Sequence, residues 1–488
     1  MDKKIETILI HEHGTIKEAM EGINKSGIGI ALVVDKNRTL LGVATDGDIR
    51  RALLSGKDLS SPIRNIMVDS PVTAREGTAA TRLLEIMLDK GIQEIPITNN
   101  DGIVVDVAFL PELKTISLSS PDITHKEVEI INQILSTPFL SIGPKVKEFE
   151  KKMADYIGVN HAVAVNSGTS GLHLCVKSLG IKDGDEVITT PFSFIASSNC
   201  VLFERANPVL VDINEHTLCI DPLRIEEKIT ERTKAILPVH IFGHACDMDK
   251  IIEISKSYNL AIIEDTCEAI GAEFNGKKVG SFGNAGVFAF YPNKQITTAE
   301  GGMIVTDDQN IAELCRSMRN QGRSEGGAWL SHKMLGFNYR LSELSAGLGV
   351  AQLDRISEIL EKRQTVAQLY IERLSAIDGI RIPYISPNVK MSWFVFVVRL
   401  DYKRFSREDR DEIIYELKRR GISCSNYFPP IHLEPFYVGM YGYKKGDFPI
   451  TERVSESTIA LPFYNNLPET EIDYICDTLK KILRGKVQ

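Results

Sequence analysis

Nowhere does this chain run through 18 apolar residues without interruption, and its eight cysteines, at 175, 200, 219, 246, 267, 315, 424 and 476, never fall as C-x-x-C. The first absence argues against a membrane-spanning helix and a membrane partner. The second removes the spacing of thiolate metal clusters and of a disulfide framework, so no metal is expected and reduced thiols are. Excess positive charge is missing too. Lys+Arg 57 against Asp+Glu 65 gives a net charge of −8 without a basic tail or stripe, so nucleic acid is not an expected partner. The opening MDKKIETILI carries no apolar h-region, and with the scattered thiols this leads to the expectation of a cytoplasmic protein. What is present is ordinary: 488 residues, 43% hydrophobic and 25% charged, enough for large cores and about three domains at ~150 residues each.

The first ~120 residues hold a weak repeat. SGIGIALVVDKN (26–37) and KGIQEIPITNND (90–101) align at an offset of 64, and each precedes a strand, LLGVAT (40–45) or IVVDVA (103–108). Each copy reads as helix, strand, turn, strand, helix, a unit too small to bury its apolar face alone. The pattern resembles a tandem CBS pair, a Bateman module. Its best motif, Gly42-Val-Ala-Thr45-Asp-Gly-Asp48, is like that family's G-x-x-T-x-x-D at a nucleotide ribose. The resemblance implies an adenine or cytidine nucleotide at Thr45 and Asp48. In the second copy Gly42, Thr45 and Asp48 become Asp106, Phe109 and Glu112, so at most one such site is expected. Equally, Thr45 and Asp48 serve as a cap for the helix that follows.

KTISLSSPDIT then reads as a linker. From about residue 125 short β-branched runs alternate with helical segments: HAVAVNSG (161–168), DEVITT (185–190), NPVLVDI (207–213), KAILPVH (234–240) and LAIIED (260–265). That is an α/β sheet, mostly parallel and covered on both faces, whose ligands gather at the carboxyl ends of the strands. A long charged helix from about 351 leads to a smaller α/β region with the strand SWFVFVVRL (392–400). The expected bounds are 1–118 for the tandem pair, 119–128 for the linker, 129–360 for the large domain and 361–488 for the small one.

FYPNKQITTAEGGM (290–303) puts Lys294 between two apolar runs, although lysine is among the residues least often buried. Two other features give that amine a use. NSGTSGL (166–172) follows a strand and opens a helix with Leu172, Cys175, Val176 and Leu179 on one face. Its small residues let backbone N–H groups approach a phosphate, although Ser and Thr there also serve as N-caps. LAIIEDTCEAIGA sets Glu264 and Asp265 just past an apolar strand, where an acid alone would be a helix cap. Pyridoxal phosphate needs a lysine to bond its aldehyde, an acid to keep the pyridine nitrogen protonated and an anion cradle. Phe194 in TTPFSFIAS is placed to stack on the ring, though by default a phenylalanine is core.

Residues ~125–488 resemble the DegT/DnrJ/StrS family of sugar aminotransferases, fold type I pyridoxal-phosphate enzymes. The resemblance rests on NSGTSGLHL, the stretch from EDTCEAIGA to TTAEGGM, MRNQGR and GFNYRLSELSAGLG. It implies Lys294 as the cofactor lysine and general acid/base, Asp265 as the pyridine-nitrogen partner, Gly168 and Thr169 at the phosphate and Phe194 on the ring. Asn338 of GFNYR is implied at the cofactor phosphate of a second subunit, hence a homodimer or higher homo-oligomer. Arg323 and His432 are implied near the substrate. Glu268, three residues past the aspartate, is as in perosamine-synthase-like members and counts with the cofactor residues. Ala289 stands where many relatives have a phosphate-binding serine, and Ala299 replaces a usual glycine. The activity implied is amino transfer, with glutamate as donor, to a nucleotide-linked keto-sugar for polysaccharide synthesis. The alternatives are a 3-dehydratase, in which histidine replaces the lysine, and a non-catalytic sensor.

Overall fold

The structure is a computed structural model that describes residues 3–78, 80–110, 115–323 and 331–486, the side chains at 3, 4, 80 and 81 excepted. The chain divides into two units, Met1–Ile116 with Lys418–Ile422, and Ser117–Leu417 with Ser423–Gln488.

The repeat is visible in the first unit. Strands β1 (Leu9–His11), β2 (Ile30–Val34) and β3 (Leu40–Thr45) form one sheet; β4 (Ala74–Arg75), β5 (Glu94–Thr98) and β6 (Val104–Phe109) form the other. In each, the short strand pairs parallel to the middle one and the third returns antiparallel, with a register break at the same place, Val33/Val34 and Ile97/Thr98. The helices Ile16–Ser26 and Ala80–Lys90 keep the offset of 64 as well. Thr15 opens the first with a reciprocal cap to Glu18, and Gly27, at φ 73°, ends it in the left-handed region that glycine enters without strain. The closing helix expected of the second copy falls in part on residues 111–114, outside the described residues.

The second unit is built on seven strands: β7 (His161–Val165), β8 (Glu186–Thr189), β9 (Asn207–Leu210), β10 (Thr233–Ile236), β11 (Ala261–Asp265), β14 (Ala285–Ala289) and β15 (Gly302–Thr306). The hairpin β12 (Glu273–Phe274) and β13 (Lys277–Lys278) lies outside this sheet. The order is β7-β15-β14-β11-β10-β8-β9, and β15 alone runs against the rest. The expected mostly parallel sheet is therefore present. β7, β8, β9 and β10 end before the sequence runs do, whereas β11 reaches the end of its run at Asp265. The helix Gly168–Ser178 buries Leu172, Cys175 and Val176. At ~25 cal/mol per Å² of apolar area, such a stripe supplies several kcal/mol that hold its first turn in place.

Two expected boundaries do not survive. Residues 119–128 are not a linker: Thr124 caps a helix His125–Leu135, and Asp122 and Glu127 are buried against Arg355, at 3.2 and 2.8 Å. The division at 360/361 falls inside a helix, Ile356–Leu374, whose buried Arg363 donates to the carbonyls of Trp393 (2.6 Å) and Phe394 (2.7 Å). The smaller sheet, β16 (Ile380–Arg381), β18 (Phe396–Leu400) and β19 (Thr458–Leu461), thus belongs to the same compact unit as the seven strands. β17 (Val389–Lys390) extends the β12–β13 hairpin. The long helix expected from 351 is two, broken at Arg355, where the backbone leaves helical geometry at φ −106°, ψ 7°.

Candidate active site

The carboxyl ends of the central strands open into a cavity of about 860 Å³ in the second unit. Asp265, the last residue of β11, and Lys294, in the turn after β14, both line it. Alternation along β11 sends Glu264 to the opposite face. There it accepts from the amides of Gly280 (2.7 Å), Phe282 (2.7 Å) and Gly283 (2.8 Å) and pairs with His240 (3.1 Å). Glu264 therefore holds the turn into β14, and Asp265 faces the chemistry. Its Oδ2 accepts from Ser197 Oγ at 2.6 Å and its Oδ1 from the Cys267 amide at 3.1 Å, so its carboxylate plane is fixed.

Lys294 has a side chain only 12% exposed. Its Nζ lies 3.5 Å from Glu268 Oε1 and 3.9 Å from the centre of the Phe394 ring. A cation between a carboxylate and an aromatic face is stabilised from both sides. Glu268 is buried, and burial pushes its carboxyl above the usual carboxylate range, opposed by the Lys294 charge and the Phe242 amide.

Ser167 caps the helix Gly168–Ser178 through the Ser170 amide, and the first intrahelical bond runs from Gly171 N to Ser167 O at 3.1 Å. The amides of Gly168 and Thr169 precede that bond and stand at the positive end of the helix dipole. The turn is packed too closely for side chains. A Cβ on Gly168 would lie 2.8 Å from Ala289 Cβ and 2.9 Å from Cys267 Sγ; one on Gly302 would lie 2.5 Å from Ser167 O. A glycine-tight helix start, a reactive amine and a fixed acid in one cavity fit a phosphate-bearing aldehyde with a basic ring nitrogen. Phe194 lines the same cavity with its ring 61% exposed rather than packed as core.

Other expected residues lie elsewhere. Asn338 is exposed, Arg323 faces His332 (3.4 Å), and neither is among the residues lining this cavity within one chain. His432 is not brought to the cavity. It is fully buried, bonded through Nε2 to Glu452 at 2.9 Å, and the wall at its turn is made by Ile431 and Glu434. In the first unit Thr45 and Asp48 do meet, as a cap: Thr45 Oγ1 accepts from the Asp48 amide (3.2 Å), while Asp48 Oδ2 accepts from Thr45 N (2.9 Å) and Oγ1 (2.6 Å). Burial would raise the Asp48 carboxyl, but the Thr45 and Arg51 hydrogen bonds hold it low. Among the described residues no group of three His, Cys, Asp or Glu is placed to hold a metal, none of the eight cysteines is in a disulfide, and no helix is long and apolar enough to cross a membrane.

The sequence reading missed Ser197, Phe394 and Gln295. Ser197 was legible, three residues past Phe194 in the stretch already singled out. Phe394 is 100 residues from the lysine it touches and carried no local signal.

These features define a fold type I pyridoxal-phosphate enzyme. Residues 121–480 match the DegT/DnrJ/EryC1/StrS aminotransferase family, and residues 1–55 and 63–107 match the CBS domain. GDP-perosamine synthase of Caulobacter vibrioides is 38% identical over 77% of this chain and 100% of that protein. The dTDP-3-amino-3,4,6-trideoxy-alpha-D-glucose transaminase of Streptomyces venezuelae is 34% identical over 72% of this chain and 90% of its own length. Among solved structures, DesV of S. venezuelae aligns with a TM-score of 0.70 at 32% identity, covering 75% of this chain and 98% of that one. PseC of Helicobacter pylori, an aminotransferase of pseudoaminic acid biosynthesis, aligns at 0.73 and 28%, covering 76% and 100%. The chain belongs to the DegT/DnrJ/EryC1/StrS aminotransferase family; it is a pyridoxal-phosphate-dependent sugar aminotransferase preceded by CBS domains.

Proposed function

We propose that this enzyme moves an amino group from glutamate to a nucleotide-linked keto-sugar, as a cytoplasmic step of polysaccharide or related glycan synthesis. The observation that carries the reading is the Lys294 amine, in one cavity with Asp265 and the glycine-tight helix start. The named relatives, GDP-perosamine synthases and a dTDP-amino-sugar transaminase, support the substrate class. An intact lysine favours amino transfer over dehydration or a purely sensory role.

Pyridoxal phosphate, when bound, supplies an aldehyde for covalent attachment and a ring that takes up an electron pair from the substrate carbon. The residues of the chain do the rest. Gly168 and Thr169 offer amides to the phosphate, and Phe194 gives the ring a face. Asp265, aligned by Ser197, keeps a proton on the ring nitrogen. Lys294 carries the proton of the 1,3-shift as base and then acid.

The cavity lining contains one cation, Lys294, against the carboxyls of Asp265, Glu268, Glu300 and Glu434. Dicarboxylate and diphosphate substrates need positive charge and amide donors from elsewhere, which supports a site completed by a second copy of the chain through Asn338 and Arg323. Incubating the protein with a panel of keto-sugar nucleotides while following glutamate consumption tests the reading. Turnover with at least one is expected; consumption with none, by a cofactor-loaded protein, overturns it.

A further inference from the structure

We infer that Glu268 is a third catalytic residue: its carboxyl takes the proton that Lys294 must shed before the amine can act, and returns it directly. This deepens the proposed reaction and rests on Lys294 being the cofactor lysine.

The geometry supports the exchange at every contact. Glu268 has two oxygens in different employment. Oε2 accepts from the Phe242 amide at 2.9 Å, and Oε1 faces Lys294 Nζ at 3.5 Å. The Phe242 backbone that aims this amide sits at φ 54°, in the left-handed region, which is strained for a bulky residue. A strained backbone that orients one oxygen of one carboxyl leaves the other directed at the amine. The main chain of Glu268 is pinned as well: Gln295, the neighbour of the lysine, donates from Nε2 to Glu268 O at 2.7 Å and to Ser392 O at 3.2 Å. One buried amide thus joins the lysine turn, the Glu268 turn and the segment bearing Phe394, whose ring covers the other side of Nζ at 3.9 Å.

The chemistry follows from that placement. An ammonium is neither nucleophile nor base, and the Lys294 side chain, only 12% exposed, has the Glu268 carboxyl as its nearest acid partner. In the exchange an Nζ–H bond breaks, its electron pair stays on nitrogen, and the proton bonds to Oε1. Carboxylate and ammonium become carboxylic acid and amine, with no other reactant. The remaining ionisable groups facing Glu268 are Asp265, Tyr427 and Cys267. Burial raises the proton affinity of Glu268, which suits the carboxyl to accept a proton from the amine that Oε1 faces at 3.5 Å. A glutamine would still accept from Phe242 and fill the same space but cannot take a proton, so the fold needs the shape and the exchange needs the acid.

The test uses full-length, cofactor-free protein and follows covalent capture of pyridoxal phosphate by stopped-flow absorbance. If the proton is exchanged internally, the fraction of free amine is set by the pair, and wild-type capture changes by less than about threefold between pH 6 and 8. Glu268→Gln, with its melting temperature retained, is expected to capture at least about tenfold more slowly at pH 7 and to be accelerated by added formate. Glu268→Asp, which keeps an acid, retains the flat profile at a reduced rate. Equal rates and profiles in wild type and Glu268→Gln overturn the proposal, as does a slow variant that formate leaves unchanged. Should the glutamine variant not fold, the wild-type profile decides: a rise of about tenfold per pH unit means that the proton leaves to solvent and Glu268 is a structural counter-ion. Absence of capture by wild type would instead remove the cofactor lysine itself, a separate failure.

Discussion

Replacing Gly168 by alanine tests the anion cradle where its tolerances are smallest. The added Cβ would stand 2.8 Å from Ala289 Cβ and 2.9 Å from Cys267 Sγ, roughly 0.5–0.6 Å inside the 3.4 Å at which ordinary contact begins. Neither obstacle is the end of a flexible chain. Ala289 Cβ is fixed to β14, and Cys267 Sγ is held at 3.5 Å from the Val287 carbonyl. The backbone of the first helical turn must therefore shift by about half an ångström. Overpacking of this kind costs about 1–3 kcal/mol, and the same shift misaligns the two amides offered to the phosphate. We expect the melting temperature to drop by a few degrees and cofactor affinity, measured by absorbance titration, to fall about 10–100-fold, at 1.4 kcal/mol per tenfold. Adding Ala289→Gly removes the Cβ–Cβ contact and should restore part of both, a coupling that a double-mutant cycle isolates. A Gly168→Ala protein with wild-type affinity and melting, or one that Ala289→Gly does not relieve, would refute the tight cradle.

Asp265→Asn should leave the melting temperature within a few degrees of wild type while turnover falls about 10²–10³-fold, the scale of losing one preorganised electrostatic partner; near-normal turnover would make Asp265 a cap only. Mixing Asn338→Ala with Lys294→Ala should recover activity as subunits exchange, because one site of each hybrid dimer carries neither change; no recovery after proven exchange counts against Asn338 acting in trans. Arg355→Met leaves Glu127 buried without a cation and Asp122 with Lys362 alone (3.1 Å), and should cost about 3 kcal/mol at pH 7 by chemical unfolding, the scale of breaking a buried pair. Burial alone would raise both carboxyls, but hydrogen bonds from Asn465 and Lys362 to Asp122, and from Thr124 and Arg355 to Glu127, hold them below their usual range. Their stabilisation is present above about pH 4 and is lost as the pH falls through the depressed folded values, so the gap between variant and wild type should narrow in acid. A gap unchanged from pH 7 to 3 would contradict the pairing.

What the sequence made legible, and what it concealed, divides along chain distance. The 64-residue offset predicted two copies, and the limits of the second and third strands of each match residue for residue, because each copy's pattern is local. Lys294, Asp265 and Gly168 stood out because each sits at a strand end with chemistry that its neighbours do not need. The break at Arg355 was hidden. The side chain at that break is held by a pair of acids more than 220 positions earlier, in a stretch whose Ser and Pro content read as a linker. His432, expected near the substrate, is instead bonded to Glu452, which lies 20 positions on in another helix. Thr45 and Asp48 were ambiguous from the outset, since one hydroxyl and one carboxylate at that spacing suit a ribose and a helix end alike; in the folded chain they satisfy each other.

The central claim is that one buried amine holds the cofactor. Borohydride treatment of the yellow, cofactor-loaded protein, followed by proteolysis and peptide mass spectrometry, measures it directly. The account predicts the pyridoxyl label on Lys294 and its disappearance in Lys294→Ala. A label on any other lysine, or a colourless protein that takes up no pyridoxal phosphate, would contradict it.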